Sequence, residues 1–379
     1  MTEHPIYLDH NATTPILPEV VEAMLPYLHS HFGNPSSSHV YGQRARAAVE
    51  EARNQVARLV SCECDEIFFT SGGTESNNLA IRGAMAACLR RGLVTSVIEH
   101  PATRAPTEWL ETQGSAVIRL GATGDGRVCL PDAEAMIDAS TALVTIMHSN
   151  NETGVMQPIR ELARAAQRVG ALIHTDAAQS AGKVEIDVNA LSVDLLSLAG
   201  HKLYAPKGVG ALYVRRGVRI QPLVLGAGHE RGLRPGTENV AGIVGLGAAC
   251  ACVRQDLAIE RVRVERLRNR LWSLLQASIE EIAVTGGEAE RLPNTLHVRF
   301  PRVSGRLLLE ATPGIAASAG SACHAGGESP SEVLLAMGIG PADALGAIRL
   351  TLGRGTTEPM VVQAAALLTK TWHALSNGP

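Results

Sequence analysis

The stretch DLLSLAGHKLYAPKG, Asp194 to Gly208, decides the fold. Leu195 to Ala199 is a short, mostly apolar run that reads as a buried strand. It delivers His201 and Lys202 to its carboxyl end, where the sites of open α/β sheets gather. Lys202 is one of only four lysines, with Lys183, Lys207 and Lys370, because arginine carries most of the positive charge. An amine at that position can be a chemical group. Taken alone, a surface lysine beside a strand is the plainer reading.

Upstream, ALIHTDAAQS (Ala171 to Ser180) reads as another strand, with Asp176 and Gln179 just past its apolar part. A lysine and a carboxylate on neighbouring strand ends are what pyridoxal phosphate needs. The amine condenses with the aldehyde, and the carboxylate keeps the pyridine nitrogen protonated so that the ring accepts electrons. A third segment fits the same ligand. EIFFT runs into the small-residue turn SGGTESNN (Ser71 to Asn78), and LAIRGAMAACLRR follows with helical spacing. A helix N-terminus presents free backbone amides to phosphate, which makes Gly73 and Thr74 candidates to hold it.

Strand and helix alternate from about Glu66 to Val214. The strands are EIFFT, VTSVI, SAVIRL, ALVTIMH, ALIHT, DLLSL and VGALYV, separated mostly by helical segments such as PIRELARAAQRVG. This pattern predicts an α/β fold with a mostly parallel seven-stranded sheet between helices. Ahead of it, YGQRARAAVEEARNQVARLV sets Val49, Ala52, Val56, Leu59 and Val60 on one helical face. After about Arg254 a long arginine-rich amphipathic helix leads to LPNTLHVRF, IAASAG, IRLTLG and a last helix, an α+β pattern.

At 379 residues the chain has room for two or three domains, and 45% apolar residues supply a large core. A net charge of -3 gives no footprint for nucleic acid or an anionic membrane. MTEHPIYLDH lacks the basic and apolar regions of a signal peptide. The best apolar run, AGIVGLGAACACV, is short for a bilayer. The expectation is a cytoplasmic protein. The seven cysteines form no disulfide framework, which suits a reducing compartment. The two CxC pairs, Cys62/Cys64 and Cys250/Cys252, lack a second pair at zinc spacing and read as packing residues, so no metal is expected.

Together these segments resemble the class V aminotransferase branch of fold type I pyridoxal-phosphate enzymes, and within it the cysteine desulfurases. The resemblance extends from YLDHNATTP at Tyr7 to IRLTLGRGTT at Ile348. It implies a large cofactor-binding domain over residues 16–254, and a small domain from 255–379 to which residues 1–15 return. Lys202 would carry the cofactor, Asp176 would face its ring nitrogen, and Gln179 would donate to its ring hydroxyl oxygen. His100, in VIEHPATR, would stack on the ring and shuttle protons. His201 would join Gly73 and Thr74 at the phosphate. Thr237, in RPGTENV, would reach the phosphate of a neighbouring subunit, which implies a homodimer. Asn151, in HSNNETGV, would lie near the substrate carboxylate and the cofactor hydroxyl. Arg349 would pair bidentately with that carboxylate, assisted by Asn11.

Cys323, in SAGSACHAGGESPSEVLLAMG, matches the thiol that attacks the substrate's sulfur. Its surroundings are too glycine-rich to predict regular structure, and a mobile surface loop is expected. The implied reaction removes the Cα proton of L-cysteine with the Lys202 amine. The Cys323 thiolate then takes the sulfur as a persulfide for an acceptor protein, and alanine leaves. One departure is Ala199, where many family members carry a phosphate-binding serine. Selenocysteine lyase, acting on L-selenocysteine, is the close alternative, because ACHAGGESPSEVLLAMG and RPGTENVAGIVGLG also resemble that enzyme, as does the missing serine near the lysine. Aminotransfer or β-elimination would give Cys323 no role, and a non-enzymatic scaffold would leave Lys202, Asp176, His100 and Cys323 unexplained.

Overall fold

Continuous apolar runs of about five residues cannot present a wet face, so strands built from them must be covered on both sides. The computed structural model describes residues 4–319, 322–324 and 327–376, without the side chains of 322–324, 327 and 328. Strand β1 (Ile6–Tyr7) stands apart from the main sheet. That sheet contains β2 (Ile67–Thr70), β3 (Gly92–Ser96), β4 (Ala116–Leu120), β5 (Thr141–Thr145), β6 (Leu172–Asp176), β7 (Leu195–Ala199) and β8 (Gly210–Val214). Its spatial order is β2-β8-β7-β6-β5-β3-β4. Only β8 runs against its neighbours; every other pair is parallel. The seven strands are those the alternation predicts. β3 sits two residues earlier than VTSVI suggests, because the chain turns after it and brings buried Glu99 onto Ser96 Oγ at 2.6 Å.

Helices α1 (Pro18–His29), α2 (Val40–Val60), α3 (Gly73–Ala87), α4 (Pro101–Thr112), α5 (Leu130–Met136), α6 (Ile159–Arg168), α7 (Val188–Leu191) and α8 (Val240–Ser278) surround this sheet. The predicted stripe of α2 is all buried: Val49, Ala52, Val56, Leu59 and Val60 pack with Leu162 of α6 and Leu246 of α8 on one sheet face. On the other face Leu79 and Ile81 of α3 and Leu110 of α4 cover Leu93, Leu143 and Leu195. The first half of α8 is apolar and long enough to cross a membrane by composition. Here Ile243, Leu246, Cys250 and Val253 lie in the core instead.

α8 passes the expected boundary at 254 with non-helical torsions at Asp256 (φ -125°, ψ 17°). Beyond it, β9 (Ala283–Val284), β10 (Thr295–Arg299), β12 (Ser318–Ala319) and β15 (Ala347–Thr351) form an antiparallel sheet, while β1 pairs in parallel with β11 (Ile315–Ala316). Helices α9 (Gly305–Glu310), α10 (Glu332–Ala336), α11 (Pro341–Leu345) and α12 (Glu358–Ser376) complete this part. A second core gathers Ile6, Leu8, Leu271, Phe300, Leu350 and Trp372.

The Cys323 segment corrects an expectation. Glycine content argues against regular structure, yet β13 (Ala322–His324) and β14 (Gly327–Ser329) form an antiparallel hairpin in which Cys323 pairs with Glu328. Ladder bonds come from the backbone, which glycine supplies as well as any residue. The Cys323 thiol itself lies outside the described residues.

Candidate active site

Strands β6 and β7 end side by side, with Asp176 level with Ser197. Their parallel direction brings Asp176, Ala178 and Gln179 to the same edge as Ala199, His201 and Lys202, beside the start of α3. A cavity of ≈ 220 Å³ opens there, lined by these residues with Gly73, Thr74, Asn77, His100, Met147, Ser149 and Asn151.

Gly72 explains why the helix can start so close. Its φ of 151° suits glycine, and its Cα lies 2.7 Å from where a Cβ of Gly210 would stand. The turn therefore lies against β8, and α3 begins at Gly73 with its first amides at the cavity. A Cβ on Gly73 would stand 3.1 Å from that of Ala199. His201 closes this corner, its Nδ1 3.2 Å from Thr13 Oγ1. Its pKa is pushed down to about 4 by burial and then by Lys202, Lys207 and Lys183, so it offers a neutral imidazole.

Lys202 Nζ donates to the carbonyls of Asn11 and Ala12, both at 2.7 Å. Burial, then the charge of Arg349, bring its pKa down to about 8, opposed by Asp9 and Asp176. Asp176 is fixed by two donors, Asn77 Nδ2 at 2.6 Å and the Ala178 amide at 2.9 Å. His100 is the N-cap of α4: its Nδ1 accepts from the Ala102 amide at 3.1 Å. Nε2 is then the atom that carries the proton. Burial lowers the His100 pKa, with Asp176 opposing and Lys202 and Arg104 adding to the fall. The capping role and a place in the cavity wall thus coexist.

These residues fit pyridoxal phosphate. Amides at a helix start, an imidazole and a buried carboxylate answer to a phosphate, a ring face and a pyridinium. Asn77 and Ser149, both in the wall, each keep a buried polar atom without a partner among the described residues.

Arg349 and Asn11 sit behind the wall, tied to it through the Asn151 carbonyl, which accepts from Arg349 Nη1 at 3.0 Å and Asn11 Nδ2 at 3.4 Å. Arg349 Nη2 is held by Asp9 at 2.7 Å and donates to Ser318 Oγ at 3.0 Å. Its guanidinium is therefore already engaged at both Nη atoms, and its buried Nε has no partner among the described residues. Thr237 is exposed and does not line the cavity of its own chain. Cys62 and Cys250 are pushed above the ordinary thiol pKa by burial, which makes them unreactive.

Sequence reasoning missed three side chains here. Asn77 lies within SGGTESNN, one helical turn past Thr74, and that spacing was a usable signal. Glu99, whose carboxylate receives the Met147 amide at 3.0 Å, and Lys183 carry no such signal.

A family model described as "Aminotransferase class-V" matches residues 6–363. The chain is 46% identical over 359 residues to the "Cysteine desulfurase" of Trichormus azollae, covering 94% of this chain and 90% of that protein. It is 48% identical over 369 residues to the "Cysteine desulfurase IscS" of Anaeromyxobacter sp. (strain Fw109-5), covering 96% and 91%. Among solved structures it is similar to one described as "NIFS-LIKE PROTEIN", with TM-score 0.90 and 36% identity over 98% of this chain and 99% of that one. It is also similar to "SspA in complex with cysteine", with TM-score 0.80 and 35% identity over 91% and 98%.

Proposed function

The chain belongs to the class V aminotransferase family and is a pyridoxal-phosphate-dependent cysteine desulfurase, and from that premise we propose how its residues divide the work. The cofactor, when bound, supplies an electron-accepting ring conjugated to the substrate's Cα. Lys202 would carry it, Asp176 would keep its ring nitrogen protonated, and His100 would cover its face. Gly73, Thr74 and His201 would hold the phosphate, and Gln179 would donate to the ring hydroxyl oxygen.

Arg349 orients the carboxylate of L-cysteine with Asn151, assisted by Asn11; its tie to the Asn151 carbonyl in the cavity wall supports that role. Lys202 Nζ takes the Cα proton, and a pKa of about 8 suits an amine that must accept a proton near neutrality. His100 exchanges a proton at the substrate sulfur through Nε2. The Cys323 thiolate bonds to that sulfur as the substrate's Cβ–S bond breaks. A proton returns to the carbon skeleton, which leaves as alanine, and Cys323 keeps the sulfur as a persulfide. Next to the hairpin, Ser331 Oγ donates to Glu152 Oε2 at 2.6 Å, and Glu152 adjoins Asn151. That bond ties the start of α10, just past the hairpin, to the loop that carries Asn151.

The active unit is a homodimer. At the phosphate corner the cavity adjoins a groove of ≈ 500 Å³ lined by Gly73, Thr74 and His201, and the partner's Thr237 would enter it. Leu28, Phe32, Val40 and Tyr41 are exposed, Phe32 at 76%, and supply an apolar face for a second copy. The enzyme is placed in the cytoplasm, divided into 16–254 and 1–15 with 255–379, and passes its sulfur to an acceptor protein.

The observation that carries this reading is the convergence of the Lys202 amine, the Asp176 carboxylate and the α3 N-terminus on one cavity. Mass spectrometry of the loaded enzyme after L-cysteine should find one added sulfur on the Cys323 peptide. Borohydride should fix the cofactor on Lys202. An unmodified Cys323 peptide from enzyme that still makes alanine would remove Cys323 from the mechanism. Turnover of L-selenocysteine far above that of L-cysteine would reassign the substrate.

A further inference from the structure

Lys183 has no part in these roles, although its amine, unlike those of exposed Lys207 and Lys370, ends inside the protein. Gly182 turns the chain at φ 73°. Lys183 Nζ then donates to Gln179 Oε1 and to Asn11 Oδ1, each at 3.0 Å. Neither partner is an acid, so this is not an ion pair placed for stability. Burial, then the charges of Lys202 and Arg349, push its pKa well below the usual lysine value. Even a neutral amine keeps two N–H donors, which match the two oxygens.

An amide side chain has an oxygen end and a nitrogen end of nearly equal size, and its neighbours decide which way it points. With Oε1 committed to Lys183, Gln179 turns its NH2 group away. One hydrogen goes to the Asn11 carbonyl at 3.0 Å, and the other is left for the cavity that Gln179 lines. Asn11 is itself pinned: its Oδ1 also accepts from Asn294 Nδ2 at 3.1 Å, and its Nδ2 donates to Thr295 Oγ1 at 3.0 Å. It cannot turn to release Lys183.

We propose that Lys183 is a positioning residue that holds Gln179 in the one amide orientation able to donate to the cofactor's ring hydroxyl oxygen. The inference rests on the Gln179 role proposed above. In the reverse orientation a carbonyl oxygen would face the ring oxygen, and the bond would be lost.

The test compares wild type, Lys183→Met, Gln179→Ala and the double variant by titrating each apo-protein with pyridoxal phosphate. Cofactor affinity and the position of the visible absorbance band are read. One lost hydrogen bond corresponds to roughly 2- to 12-fold in affinity. Both single variants should weaken binding by that much and shift the band, and the double should be no worse than the weaker single. Non-additivity is the signature of one residue acting through the other. A double variant whose loss is the product of the two singles overturns the proposal, as does Lys183→Met with wild-type affinity beside an impaired Gln179→Ala. If Gln179→Ala itself matches wild type, the reading of Gln179 fails first and the inference falls with it. Should Lys183→Met not fold, Lys183→Leu removes the same two donors with a smaller apolar side chain. It should show the same loss and band shift, and wild-type behaviour would overturn the proposal.

Discussion

Only a neutral amine attacks an aldehyde, so the capture of pyridoxal phosphate by apo-protein measures the protonation of Lys202 directly. Burial, followed by the charge of Arg349, brings that amine from 10.5 down to about 8. At pH 7 an amine with a pKa near 8 is neutral in roughly one molecule in ten, against roughly one in 3000 for an ordinary lysine. The fold therefore supplies about 300-fold more nucleophile at neutral pH. Capture under excess cofactor, followed by stopped-flow absorbance, should quicken about tenfold per pH unit below pH 7.5 and level off above about 8.5. Replacing Arg349 by Met removes a charge that lowers the pKa, so the plateau should move to higher pH. A wild-type rate still climbing tenfold per unit near pH 10 would refute the reasoning, because it would mean an amine that burial does not perturb.

Glu230→Ala should destabilise the protein by about 3 kcal/mol, the low end for breaking a buried pair. Arg53 loses two 2.8 Å bonds while only 4% exposed, and the Phe69 amide loses its acceptor, but Glu50 at 3.2 Å still offsets part of the charge. Urea unfolding with an unchanged slope reads this, and a loss below about 1 kcal/mol contradicts it. Glu99→Gln should keep activity at pH 7, because burial holds the Glu99 carboxyl up at about 8 and hence neutral. A folded pKa raised above the ordinary 4.5 gives Glu99 stability that is full below 4.5 and lost as pH climbs through about 8. The Tm of Glu99→Gln relative to wild type should therefore rise between pH 5 and about 8.5. Ala199→Ser should tighten cofactor binding by about 2- to 12-fold if position 199 faces the phosphate, and unchanged affinity would place it outside that cup.

Much of this was legible in the chain because the main sheet is buried on both faces. Its strands read as apolar blocks, and DLLSL and ALIHT end on the residues that matter. The α2 stripe was readable for the same reason: one face is apolar because one face is covered. Residues whose meaning lies in a distant partner were not readable. Lys183 bonds to Asn11, 172 positions away, and Glu99 to the Met147 amide, 48 away. Neither pairing leaves a periodic trace. The Cys323 hairpin escaped for a different reason, since composition reports side chains and the ladder is made by backbone.

The carbonyls that steady Lys202 belong to Asn11 and Ala12, and the Asn11 amide in turn rests on Thr351 Oγ1 at 3.0 Å, 340 positions along the chain. Ribosomes add about 5–20 residues per second, so roughly 17–70 s separate the synthesis of those two contacts. Lys202 follows Asn11 by 191 positions, so for the last 149 of the 340, roughly 7–30 s, the nascent chain has its lysine and the two carbonyls but not the Thr351 hydroxyl that supports them. Vitamin B6 uptake is thus an event of the finished polypeptide, and fragments stalled before the β15 codons should emerge colourless.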